Sequence, residues 1–140
     1  MSEIRRIIDE TGTAVFATVD ETGFPRMRWV SPALLDEHPG SIFFATSPSF
    51  AKVAQASTNP NAEWMFQTKA LDTILNIRVI AEVVDAPALR SEFSEKIGTR
   101  LRTFWTITKG NSGLVVLETK PVGATYTVPM KGIKEIIDFT

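Results

Sequence analysis

The sequence has no cysteine among its 140 residues, which excludes disulfides, thiolate metal sites and a cysteine nucleophile. It has one histidine, His38, so neither a multi-histidine metal centre nor a Ser-His-Asp triad is available. His38 sits between Glu37 and Pro39 in loop composition and reads as an exposed polar residue. No charge of one sign dominates. The net charge of −1 gives no bulk field toward nucleic acid or an anionic membrane. No apolar run approaches the roughly 20 residues of a membrane span, and the start, Met-Ser-Glu-Ile-Arg-Arg, carries no signal-type apolar region. The expectation is a cytoplasmic protein that binds neither nucleic acid nor membrane. Glycine-rich nucleotide loops, a G-x-S-x-G elbow and an H-E-x-x-H pair do not occur. Carboxylates are scattered as Asp9-Glu10, Asp20-Glu21, Asp36-Glu37 and Glu92/Glu95, positions that turns and helix faces explain.

What is present is ordinary globular material, with 44% hydrophobic and 22% charged residues, enough for one domain over 1–140. Ile4, Ile7 and Ile8 at helical spacing before Gly12 predict a first helix. Residues 13–19 alternate as a strand, Asp20-Glu21-Thr22-Gly23 is a hairpin turn, and a second strand is expected over 25–34, with Pro32 bending or ending its pairing. Further strands are expected over 41–46, 62–68 and 73–84. The last shows the clearest alternation, with Leu75, Ile77, Val79, Ala81 and Val83 on one face and Asn76, Arg78 and Glu82 on the other. Helices are expected from Ser47 and over 87–101. Two closing strands, 114–119 and 122–128, are separated at Lys120-Pro121, and the tail 132–139 reads as a short helix with Ile133, Ile136 and Ile137 inward. Seven strands and few helices predict a mainly β protein, an antiparallel sheet closed into a barrel.

The stretch 24–64 concentrates the chemistry. Arg26 and Arg28 share a strand face with Val30, while Met27, Trp29 and Ser31 take the other. Beyond the strand 41–46, Ser47-Pro48-Ser49 opens a helix with Lys52 just inside it. Cations on an extended segment beside a helix N-terminus are the ingredients of a phosphate cradle. The same residues also read as a helix cap with solvated cations. A chain short of its own reactive groups but able to hold a phosphate beside aromatics points to a borrowed cofactor.

The order Ala17-Thr18-Val19-Asp20, Gly23-x-Pro25-x-x-Arg28, Ile42-Phe43-Phe44-Ala45-Thr46, Lys52 and Asn59-Pro60 resembles the pyridoxamine 5′-phosphate oxidase-like, FMN-binding split-barrel superfamily, and within it the general stress protein 26 group. The resemblance covers residues 14–66 closely and extends through Asp85 more loosely. It implies a flavoprotein with oxidoreductase activity toward a small-molecule redox partner. It also implies a homodimer with FMN sites between subunits. By the same resemblance Arg28 and Lys52 hold the FMN phosphate, the backbone of Trp29, Val30 and Ser31 lies along the isoalloxazine ring, and Ala45 and Thr46 contact the ribityl-phosphate side. Ser47 and Ser49 belong to the phosphate turn, and Trp105 leans into the partner's site. Ala51 replaces the family arginine before the lysine, which leaves Arg26 to compensate. Asn76 lies nearest the position of the family glutamine. The C-terminal tryptophan and arginine motif of the vitamin B6 oxidases has no counterpart after Pro129. Other ligands known from related split barrels are the deazaflavin F420 and haem, and a non-catalytic flavin-binding stress module is the alternative role.

Overall fold

Strict two-residue alternation builds the sheet. In the computed structural model, which describes residues 2–35, 38–46, 60–68, 70, 72–84 and 115–138, helix α1 (Ser2–Thr11) is followed by β1 (Ala14–Val19), β2 (Pro25–Val30), β3 (Ile42–Thr46), β4 (Asn61–Gln67), β5 (Ile74–Val84), β6 (Val115–Val128) and β7 (Ile133–Asp138). Every pairing is antiparallel, in the order β2-β1-β4-β5-β6-β3, with β7 added to β6. The two ends of this order meet at one bridge, where the Ala33 N–H donates to the Phe43 carbonyl at 2.8 Å and the Phe43 N–H donates to the Ala33 carbonyl at 2.9 Å. The sheet therefore curls on itself and joins at one point, a split barrel.

Register determines what lies inside. Arg28, Phe16, Trp64, Ile77, Ala124 and Ile137 are successive cross-strand partners. The four middle members are completely buried, so Arg28 stands at the rim of the core. Phe16 and Phe44 pack with ring centroids 4.6 Å apart, Phe16 and Trp64 with centroids 4.7 Å apart, and Trp64 stacks on Phe66 at 5.3 Å. Each such pair contributes about 0.5–1.5 kcal/mol beyond the area it buries. Ile7 and Ile8 anchor α1 on this core, and Gly12, at φ 72°, ends the helix in a conformation that a side chain disfavours. Phe43 points the other way, into a smaller cluster with Ala33, Leu35 and Val116.

Three expectations are corrected. Strand β2 stops at Val30 instead of running to 34, because Pro32 has no N–H to give to a ladder and the chain makes only the Ala33 bridge. Lys120-Pro121 does not divide the last long strand. Arg78 pairs with Gly123 and Val79 with Pro121, which leaves Val122 as an extra residue in a bulge where a proline costs no ladder bond. The tail is a strand, not a helix, and its isoleucines are not inward. Gly132, at φ 65°, turns the chain back along β6, and the β-branched residues pair there with every side chain exposed. The helices expected after Ser47 and over 87–101 lie outside the described residues. No helix among the described residues is long and apolar enough to cross a membrane.

One hydroxyl ties three strands together inside the core. Thr119 Oγ1 accepts from Trp64 Nε1 at 3.0 Å and donates to the Ile42 carbonyl at 2.7 Å, with no exposed surface. Thr119→Val keeps the shape and leaves both partners buried without a bond. Urea unfolding followed by tryptophan fluorescence should show a loss of about 1–3 kcal/mol; an unchanged midpoint would show that these groups find other partners.

Candidate functional site

The turn between β1 and β2 sets the position of both strand arginines. Asp20 is nearly buried, and its carboxylate collects four donors: Thr22 N–H at 2.9 Å, Thr22 Oγ1 at 2.6 Å, Phe24 N–H at 3.0 Å and Arg26 Nε at 2.9 Å. Gly23, at φ 89°, lets the chain reverse inside this network. The Thr22 hydroxyl and the Arg26 guanidinium, in that order, hold the Asp20 carboxyl well below the usual carboxylate range. Arg26 is thus engaged through Nε by its own turn, although 63% of its side chain remains exposed.

Arg28, two residues on, occupies the same strand face beside Phe16. Partial burial lowers the guanidinium from its ordinary value, and it stays charged at any physiological pH. Val30 is buried against Ala14, and Ser31 is half-buried at the strand's end. Continuing the antiparallel register outward from the Ala33–Phe43 bridge sets Ser31 opposite Ala45 and Val30 opposite Thr46. Thr46 is buried and Ala45 half-buried at the end of β3. Arg28, Val30 and Thr46 on the inner face, and Ser31 and Ala45 on the outer, thus flank the end at which β2 and β3 lie without a ladder beyond that bridge among the described residues.

Trp29 and Asn76 lie on the outer face. Trp29 projects from the opposite face of β2 and is 60% exposed. Asn76 lies in the same outer row as Trp29, through Val15 and Met65. Three strand spacings, about 14 Å, separate the two. Its amide donates to Glu63 Oε2 at 3.4 Å. Ser47, Ser49, Lys52 and Trp105 lie outside the described residues. His38 is exposed, as expected, with its ring edge-on to Phe43 at 5.9 Å. No group of three or more histidine, aspartate or glutamate side chains among the described residues is placed to hold a metal ion. The residue missed in the sequence is Asp20. Its signal is the threonine two positions on, the pattern of an Asx turn.

A family model described as pyridoxamine 5′-phosphate oxidase matches residues 1–127. No functionally curated protein matches the sequence. Among solved structures, a general stress protein 26-related protein of Clostridium acetobutylicum superposes with a TM-score of 0.74 at 13% identity, covering 99% of this chain and 93% of that one. A pyridoxamine 5′-phosphate oxidase-related, FMN-binding protein of Nostoc punctiforme gives 0.67 at 11% identity, covering 99% and 96%. The haem storage protein HutZ of Vibrio cholerae gives 0.64 at 18% identity, covering 86% and 88%. At these identities the likeness establishes the split-barrel fold.

The Asp20 network makes a pH-dependent prediction. A carboxyl held below its unfolded value stabilises the fold fully above that value, near 4, and the contribution is lost as pH falls toward the folded value. Asp20→Asn should lower the urea midpoint at pH 7, and the gap from the unaltered protein should narrow as pH drops below about 4. A gap of constant size between pH 7 and pH 3 would count against it.

Proposed function

The chain belongs to the pyridoxamine 5′-phosphate oxidase family, and we propose on that footing that it is an FMN-binding flavoprotein with oxidoreductase activity toward a small-molecule partner in the cytoplasm. The feature that supports this reading is the open edge beside the Ala33–Phe43 bridge, with Arg28 and Thr46 on the inner face near the ends of β2 and β3. A cation at the rim of an aromatic core, beside two strand ends that share no ladder, suits an anionic group attached to a flat apolar body. FMN supplies the electron chemistry when bound, accepting or donating a hydride or single electrons. Arg28 binds the phosphate through charge-assisted hydrogen bonds from its guanidinium. Lys52 and the serines at 47 and 49 complete the phosphate contacts in this proposal. Val30 and Thr46 line the flavin side and exclude water, while Arg26, tied to Asp20, holds the strand in place.

The proposed assembly is a homodimer with cofactor sites between subunits. Its support is a set of exposed apolar side chains on the outer face of two strands that each have one ladder neighbour: Met27 (71%) and Trp29 (60%) on β2, and Ile136 (71%) on β7. The FMN reading is favoured over F420 and haem because, among the described residues, this edge carries Arg28 and no histidine. The chain's one histidine stands against Phe43 in the outer cluster.

Freshly purified protein should be yellow, with flavin bands in the near-UV and blue. Arg28→Ala should weaken FMN binding about tenfold to a hundredfold in an equilibrium titration, the effect of losing a charge-assisted bond. Equal loading of variant and parent, or a Soret band in place of flavin bands, would overturn the FMN assignment. Met27→Glu combined with Ile136→Glu should shift sedimentation from dimer to monomer. A dimer that survives both changes places its contact elsewhere.

A further inference from the structure

Strand β7 ends the sheet on one side. Among the described residues it pairs with β6 alone, and all of its side chains are exposed. Its 6 residues, Ile133–Asp138, include no proline, and no bulge interrupts their register with β6. Such an edge presents a row of backbone donors and acceptors that another strand can take up. Charged side chains commonly blunt edges against pairing, and Lys134, Glu135 and Asp138 fit that role too. The order of the charges separates the two roles.

A second copy of β7 can join antiparallel about a two-fold axis normal to the sheet, which sets outer face beside outer face. Opposite residues then share a face, so the axis runs between a residue and its own copy. Centred on Lys134 or on Glu135, the pairing places like charges directly opposite, which destabilises it. Centred on Ile137, it overlaps only 136–138 of the strand and sets Asp138 against Ile136. Centred on Ile136, it overlaps 134–138 and joins two isoleucines that are each 71% exposed in the single chain. Lys134 of each copy then faces Asp138 of the other, on the same side of the sheet as Ile136. The outward sequence Lys134, Ile136, Asp138 is therefore its own complement when reversed. On the inner side Glu135 falls opposite Ile137, with no acid facing it.

We propose that β7 is a self-association edge, at which two copies of the chain continue one sheet through antiparallel β7 strands centred on Ile136. Backbone hydrogen bonds and the isoleucine contact supply the affinity. Exposed ion pairs are weak singly, so the two Lys134–Asp138 pairs act chiefly to select the register. This contact rests on the homodimer proposed above and names the strand through which its subunits meet. It does not depend on the flavin assignment.

The chain has no cysteine, so introduced cysteines report on their own neighbours alone. Directly opposite residues of an antiparallel pair have Cα atoms about 4.5–5.5 Å apart, within reach of a disulfide. Under mild oxidation of the whole protein, Ile136→Cys should form a disulfide-linked dimer. Lys134→Cys alone and Asp138→Cys alone should not, because four residues of strand, about 14 Å, separate each from its own copy. A mixture of those two variants should cross-link to a mixed dimer. In sedimentation, Lys134→Glu should weaken dimerisation about fivefold to tenfold, and adding Asp138→Lys should restore it. A dimer that gives no cross-link at 136, self-linking of all three cysteine variants, or undiminished dimerisation of Lys134→Glu overturns the β7 contact and leaves a homodimer through another surface. A monomeric parent overturns both.

Discussion

Two hydrogen bonds between Ala33 and Phe43 close this sheet, and the open edge beside them exists because closure stops there. A barrel closed along the full length of β2 and β3 would place ladder bonds where Ser31 faces Ala45. Pro32 acts on the other side: its neighbour Ala33 points its N–H at β3, so the proline nitrogen faces β1, where it has no N–H to carry the β1–β2 ladder past Val30. The one-point seam still holds the curl, because Phe44 and Phe16 meet across the core and Thr119 bonds both Trp64 and the Ile42 carbonyl. The seam thus separates two tasks. The aromatic interior supplies stability, and the strand ends remain available for other chemistry.

Asp20 performs a similar separation among the arginines. Two guanidinium groups on neighbouring same-face positions repel, and an aspartate that accepts four bonds neutralises one of them. Arg26 becomes part of the hairpin. Arg28, two residues on, stands beside Phe16 at the rim of the core. Sequence alone presents the two as equivalent, since strand alternation puts both on one face and says nothing about which carboxylate lies six residues earlier in space.

The legible parts of the fold are those set by local period. Leu75, Ile77 and Val79 alternate in sequence and are buried in the structure, and Gly12 and Gly23 mark the reversals they take. The misread parts are those where another constraint overrides the period. Ile133, Ile136 and Ile137 match a helical stripe by spacing, yet their β-branched side chains and the available edge of β6 make a strand the better partner. Pro121 looks like a break until β5 is placed beside it, when one extra residue absorbs the mismatch. Around the candidate site, the strand positions of Arg28, Ala45 and Thr46 are legible because each lies in an alternating segment. The same alternation puts the Trp29 and Asn76 side chains on the face opposite Arg28.

That difference of face governs what the sheet can bind. Along β4, Glu63 points outward and Trp64 inward, so one residue separates the charged outer row from the aromatic core. A slip of one residue would bury the carboxylate and expose the indole, a change that the Trp64–Thr119 bond and the stacking on Phe66 oppose directly. The core bond that stabilises the fold is therefore also what keeps Arg28 on one face and the Glu63–Arg78 row on the other. Weakening Thr119 should loosen both faces together, whereas changes at Ile136 or Arg28 should each act on one face alone.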